Sequence, residues 1–209
     1  MSNARFWNRI AARYARQPLA DEAAYQRKLT MTRERLAPDM DVLEIGCGTG
    51  STAIAHAPHV REIHAVDVSS RMLEIAAAKA KDAGATNIRF EECAVDTLDV
   101  PDDRYGAVLA LSILHLVADR ERTLRQVFRV LEPGGLFISN TACIAGWMRA
   151  LKPAFAIGRA LTLLPLVQFF RQSELLASVE GAGFEIEEVW RPTVRSAVFI
   201  VARKPAEAA

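Results

Sequence analysis

From Asp41 onward, short runs of apolar residues alternate with stretches in which apolar positions recur every three or four residues. That rhythm predicts strands joined by crossover helices, as in a parallel sheet covered on both faces. The strands fall at 41–45, 63–67, 88–92, 105–111 and 135–141, and helices fill 50–56, 70–83 and 120–131. Ahead of this core, Phe6, Ile10 and Tyr14 share one face of a first helix whose other face carries Arg5, Arg9, Arg13 and Arg16. A second helix spans 22–36 and ends before Pro38. The last third breaks the rhythm. Residues 143–170 form a long apolar insert, a helix follows over 173–182 with Gly183 as its stop, and two strands, 184–190 and 196–203, are joined by a short link containing Pro192. So short a link predicts an antiparallel pair.

The chemistry concentrates where the first of these strands ends. Val42-Leu43-Glu44-Ile45 runs into Gly46-Cys47-Gly48-Thr49-Gly50, an apolar run closed by an acid and a glycine-rich turn. A chain that leaves a strand and enters a helix within so few residues needs positive φ, and glycine also leaves room for a ligand against bare backbone. Seventeen residues after Gly50 the next strand ends in Asp67, the place for a carboxylate that receives ribose hydroxyls. The turn does not spell the dinucleotide fingerprint: the third glycine of that motif is Ser51 here. Glu44 also disfavours a pyrophosphate, whereas a ligand bearing an ammonium and a sulfonium suits an acidic rim.

With these features the chain resembles the class I S-adenosylmethionine-dependent methyltransferases. Asp67-Val68-Ser69-Ser70-Arg71-Met72-Leu73 is similar to the family's second signature, residues 105–115 to its fourth strand and following turn, and Leu131-Glu132-Pro133-Gly134-Gly135-Leu136 to its turn before the fifth strand. The resemblance covers residues 42–204. It implies an α/β, single-domain Rossmann-like doubly wound sheet, mostly parallel with an antiparallel last strand. Residues 1–37 would be a helical lid, 38–142 the cofactor-binding core, 143–172 a cap over the acceptor and 173–204 the closing helix and strands. The implied cofactor is S-adenosylmethionine, with S-adenosylhomocysteine as product. Asp67 would hold the ribose, with Val68 beside it, and the backbone of Gly46, Cys47, Gly48 and Gly50 would lie along the methionine part. Glu44 would order that loop and favour the ligand's positive charge. Met72 would pack on the adenine, the Val95 N–H would meet one of its ring nitrogens, Ala94 and Leu111 would also belong to the cofactor site, and Tyr14 would meet the methionine end.

Each assignment has a plainer alternative. Asp67 can serve as an acid ahead of a helix beginning at Ser69 or Ser70, Met72 can be core filling, and Tyr14 and Tyr25 can simply pack. Ala94 and Gly106 stand where relatives often carry aspartates, a loss of about 1 kcal/mol per missing hydrogen bond; Asp96 is a substitute, and the Val95 N–H still suits a ring nitrogen. Methyl transfer is an in-line displacement that needs alignment and exclusion of water more than a dedicated base. The candidate base is His115, which matches the first histidine of the family's Leu-His-His turn; its alternative role is structural. His56, His59 and His64 read as helix-end or surface residues without metal spacing, so no metal is expected.

Composition narrows the function further. A chain of 209 residues, 51% apolar, suits one domain with a buried core. Net charge +1 gives no global reason to bind nucleic acid. Cys47, Cys93 and Cys143 are odd in number and unpaired in spacing, which points to the cytoplasm. The arginine-rich start has no continuous apolar core and does not read as a signal peptide, and the apolar insert is too interrupted to span a membrane. Trp7, Trp147, Phe155, Leu163, Leu164 and Phe169 would line a cleft for a small, hydrophobic acceptor methylated at oxygen, nitrogen or carbon; they equally suit a homodimer contact or a membrane surface. The arginine face is a solvated surface or a contact for an anionic substrate or lipid headgroup. A non-catalytic cofactor-binding or interaction protein is the alternative of another class, a phospholipid-type acceptor a further one, and a nicotinamide dehydrogenase is disfavoured by the turn.

Overall fold

The computed structural model describes residues 4–18, 20–144, 155, 157–158, 163–194 and 196–206. Two helices, α1 (Ala4–Tyr14) and α2 (Glu22–Arg33), precede the sheet. Then β1 (Asp41–Ile45), α3 (Ser51–His56), β2 (Glu62–Asp67), α4 (Ser70–Asp82), β3 (Ile88–Glu92) and β4 (Tyr105–Leu111) follow. The chain closes with α5 (Arg120–Val130), β5 (Leu131–Thr141), α6 (Gln172–Gly181), β6 (Glu185–Trp190) and β7 (Val198–Arg203). The seven strands lie in the order β3-β2-β1-β4-β5-β7-β6. The first five are mutually parallel, and β7 runs antiparallel to both β5 and β6. The α/β architecture with its antiparallel end is therefore the one the sequence predicts.

Alternation along the strands divides the core in two. Leu43, Val108, Phe137 and Ile200 point to one face, where they pack with Leu124 and Val127 of α5 and Leu175 and Val179 of α6. Val42, Ile63, Leu109, Ile138 and Phe199 point to the other, beneath Met31 of α2, Ala53 of α3 and Leu73 of α4. Because both faces are covered, the inner strands are buried almost throughout, whereas the edge strands β3 and β6 keep exposed positions. Serine and aspartate caps set the helix starts: Ser69 accepts from the Met72 N–H, and Asp119 from the Arg122 N–H.

Two boundaries differ from expectation by three residues or more. Helix α2 stops at Arg33, three residues early, where the Glu34 and Arg35 N–H groups bond back to Thr30 and Thr32. Strand β5 begins at Leu131 and not near 135: Leu131 pairs with Tyr105, the next pair is Ala107 with Leu136, and Pro133-Gly134-Gly135 bulges between them. Reciprocal bonds with Lys204, Gly134 N–H to its carbonyl and its N–H to the Gly135 carbonyl, both 2.9 Å, tie that bulge to the end of β7. His56 and His64 are not surface residues. His64 is buried in β2 between the Tyr105 hydroxyl (2.7 Å) and Glu91 (2.9 Å), and His56, though it ends α3, is buried without a hydrogen-bond partner.

The Phe137 ring stacks on Phe184 at 5.1 Å with no exposure, at the centre of the face beneath α5 and α6. Phe137→Ala should cost about 3–5 kcal/mol, read as a lower midpoint in urea unfolding.

Candidate active site

A cavity of about 480 Å³ opens at the carboxyl ends of the parallel strands, where ligands of open α/β sheets bind. Its walls come from the turn after β1, the end of β2 with the start of α4, the loop after β3, the end of β4 with the start of α5, and from α1. Of the predicted site residues, Tyr14, Gly46, Gly48, Asp67, Val68, Met72, Ala94, Val95 and Leu111 line it together.

The turn is shaped for bare backbone. Gly46, Gly48 and Gly50 have φ of 67°, 54° and 73°. A Cβ at Gly46 would come within 2.7 Å of the Ile113 side chain, whereas one at Gly48 would meet no atom within 4 Å. Gly48 thus presents main chain to open cavity. The carboxylate of Asp67 joins this turn to the next: one oxygen accepts from the Gly48 N–H and the other from the Ser69 N–H, each at 2.9 Å. Burial raises its pKa, and these N–H groups oppose the rise. Asp67 thus also shapes the entry to α4, the plainer role weighed for it, while still lining the cavity.

Glu44, Cys47, Gly50 and His115 are not among the lining residues. Gly50 makes room for α4, since a Cβ there would lie 2.8 Å from that of Ala76. The Cys47 thiol packs in the core, where burial pushes its pKa up, and its N–H bonds to the Val66 carbonyl at 3.0 Å. Glu44 lies behind the turn, 2% exposed, with one carboxyl oxygen lacking any partner. Desolvation, and then the charge of Asp67, push its pKa up to about 8, against a bond from the Ala53 N–H. At neutral pH it is mostly protonated and becomes an anion only where a cation stands beside it.

His115, the candidate base, stands outside the cavity wall. Burial lowers its pKa to about 4, its Nδ1 is buried without a partner, and its carbonyl accepts from the Gln168 N–H at 2.7 Å, which holds the insert against this turn. So weak a base, with its ring out of the cavity wall, suits structure better than proton transfer. Gly106 is also removed from the question of cofactor contacts. It opens β4 against Met40, whereas the cavity begins at Leu111, about 17 Å along the strand.

Residues the pattern did not single out complete the site. Asn8 of α1 accepts from the Ser69 hydroxyl (2.6 Å) and the Arg71 N–H (3.2 Å), docking α1 on the start of α4 so that Trp7 and Tyr14 face the cavity. The two rings contact edge to face at 5.9 Å. Burial and the nearby charge of Asp67 raise the Tyr14 pKa. Leu116 and Val117, past the end of β4, and Arg122 and Thr123 of α5 also line the cavity, as does Asp96, and their place after a strand end or at a helix start was the available signal. Of the insert, Leu166 lines the cavity; Phe155, Leu163, Leu164 and Phe169 do not, and Trp147 lies outside the described residues.

Residues 42–135 match the model of a methyltransferase domain family. This stretch of the chain is therefore similar to a methyltransferase domain. The chain is 36% identical over 97 residues to the uncharacterized methyltransferase YcgJ of Bacillus subtilis (strain 168), covering 46% of this chain and 38% of that one. It is 29% identical over 113 residues to the ubiquinone/menaquinone biosynthesis C-methyltransferase UbiE of Vibrio vulnificus (strain YJ016), covering 52% and 44%. The matched region thus spans less than half the length of these relatives. Among solved structures, the [4+2]-cyclase SpnF superposes with a TM-score of 0.75 over 91% of this chain and 85% of that one at 20% identity. The structure of YcgJ from Bacillus subtilis superposes at 0.71 over 88% and 100%, at 19% identity. The fold is thus that of class I methyltransferases, whose cofactor is S-adenosylmethionine.

The pKa of Glu44 gives a measurable consequence. Between its ordinary value near 4.5 and about 8 the folded chain keeps a proton that the unfolded chain has released, so this residue lowers stability as pH rises through that window. His56 and His115, both lowered to about 4, act oppositely below about 6.5. Urea unfolding at pH about 5.5 and 7.5 should show Glu44→Gln gaining on the parent by about 2 kcal/mol across the interval. An unchanged difference between the two proteins would mean that Glu44 is ionised throughout.

Proposed function

We propose that the chain transfers a methyl group from S-adenosylmethionine to a small, mostly apolar acceptor inside the 480 Å³ cavity. The observation that carries this is the joining, in one cavity, of bare backbone at Gly48, the tethered carboxylate of Asp67 and an apolar end lined by Trp7, Leu116, Val117 and Leu166. The residues fit the cofactor. Each Asp67 oxygen takes one backbone bond and keeps a further lone pair, so ribose hydroxyls would meet an acceptor that is already oriented. Met72, Ala94 and Val95 would provide a slot for the adenine, with Asp96 of the same cavity wall as a carboxylate for its amino group. Glu44 offers a buried carboxyl that a cation behind the glycine turn converts to an anion.

When bound, the cofactor supplies an electrophilic methyl on a sulfonium. The protein's part is to hold the acceptor in line and keep the path dry. Tyr14 and Trp7 line the cavity and would give a cationic ligand aromatic neighbours, worth about 0.5–2 kcal/mol. Leu116, Val117 and Leu166 bury the acceptor and exclude water. His115 is left out of proton transfer, so the favoured acceptor is one that ionises readily or is already nucleophilic. The C-methylation named for the UbiE relative suits such an acceptor, an electron-rich ring carbon.

Incubation with S-adenosylmethionine and a panel of quinols, phenols and apolar amines should release S-adenosylhomocysteine with at least one member. Gly48→Val, which fills the open space beside the turn, should cut that rate by about a hundredfold or more. Release at an undiminished rate from Gly48→Val would place the reaction elsewhere, and silence across the panel would favour a binding protein without turnover.

A further inference from the structure

The connection from β3 to β4 contains no α-helix, only residues 93–104 with one 3-10 turn at Val95–Thr97. Helices α3 and α4 pack on one face of the sheet beside β2, so the opposite face of β2 and β3 has a loop above it and not a helix. At the amino-terminal end of that face a second cavity remains, of about 180 Å³. It lies at the far end of the strands from the glycine turn. Asp41, in its wall, opens β1, and Gly46 follows the other end of that strand about 16 Å away.

The inner part of this cavity is fixed by buried polar groups. His64 lies between the Tyr105 hydroxyl and Glu91, and Asp41 is bridged by both Arg61 and Arg104. The outer part keeps groups that the protein does not use. Among the described residues Arg89 donates only through Nη1, to Glu91 at 2.7 Å, and Arg104 only through Nη1, to Asp41. Each guanidinium thus retains its Nε–Nη2 edge, the planar fork that matches a carboxylate. Glu62, half-buried in the same wall, receives no hydrogen bond and joins no ion pair among the described residues. Burial raises the Tyr105 pKa; the charges of Arg89 and Arg104 oppose that rise and those of Glu91 and Glu62 add to it, which sets both signs around one hydroxyl.

A network that served only to hold the strands would join Glu62 to a neighbouring arginine. Arg89 pairs with His64, two positions beyond Glu62, so the two Cα atoms stand about 8 Å apart, yet their opposite charges face one cavity without touching. A plain anion on the arginines would meet Glu62, and a plain cation on Glu62 would meet the arginines; a molecule with both charges satisfies all three. Val100 and Pro101 supply an apolar wall, and the volume is below the roughly 300–1,000 Å³ of drug-sized sites. We infer that this cavity is a second ligand site, for a small α-amino acid with an apolar side chain, its carboxylate on Arg89 and Arg104 and its ammonium on Glu62. Among the described residues it shares none with the cofactor cavity, and it does not depend on methyl transfer.

The test is calorimetric titration of the full chain with L-leucine up to about 10 mM, beside isocaproate, which lacks the ammonium, and isoamylamine, which lacks the carboxylate. Leucine should bind with a dissociation constant of about 1 mM or below, and each of the other two about tenfold more weakly or not at all. Arg89→Gln and Glu62→Gln, each with an unchanged melting temperature to show intact folding, should weaken leucine binding by about fivefold or more. S-adenosylhomocysteine carries an ammonium and a carboxylate of its own, so the titration is repeated with that ligand in excess, and leucine should bind as before. No binding of leucine at about 10 mM, isocaproate binding as tightly as leucine, equal affinity in parent and both variants, or displacement of leucine by S-adenosylhomocysteine would each overturn the inference.

Discussion

The carboxylate of Asp67 accepts hydrogen bonds from two separate connections, the Gly48 N–H of the turn after β1 and the Ser69 N–H of the turn into α4. Neither turn has a neighbouring strand to satisfy these groups, and a buried N–H without a partner costs about 1–3 kcal/mol. One side chain therefore ties the two turns together, beyond the pairing of β1 with β2 and the bond from the Cys47 N–H to the Val66 carbonyl. The rest of the site follows: Ser69, held in place, caps α4 and donates to Asn8, which docks α1, and α1 brings Trp7 and Tyr14 over the cavity. Removal of Asp67 would loosen four elements together, not a single ligand contact.

Beneath that junction lies a second carboxyl with the opposite character. Asp67 has N–H partners for its charge, whereas Glu44 has a partnerless oxygen and a pKa near neutrality. Two acids within one another's field cannot both be comfortable anions in a dry environment. The pair divides into a carboxyl held by backbone N–H groups at the cavity edge and a mostly neutral acid behind the turn. A cationic ligand on the glycine turn relieves this repulsion and an anionic one worsens it, which is why a phosphate-bearing cofactor is a poor fit here.

The sheet was legible in the sequence because its strands are buried on both faces and bounded by glycine, proline and capping residues. Glu44 to Gly50 and Asp67 were legible because positive φ and strand-end carboxylates leave a local spelling. Other parts depend on contacts far apart in the chain. The start of β5 is set by Tyr105 and by the bonds of Asp103 and Arg104 to the carbonyls of Arg129 and Val130, none of which the Pro133-Gly134-Gly135 turn announces. Asn8 has meaning only once α1 lies against Ser69. His64 looks like a surface residue until β3 and β4 bring Glu91 and Tyr105 to its ring. Gly106 looked like a lost cofactor contact because distance along a motif does not say which end of a strand faces the ligand.

The most direct measurement is calorimetric titration of the full chain with S-adenosylmethionine and S-adenosylhomocysteine, compared with Asp67→Ala. Micromolar binding of both ligands by the parent, weakened about tenfold or more in the variant, is the result this account predicts. No binding by the parent, or equal affinity in parent and variant, would contradict it.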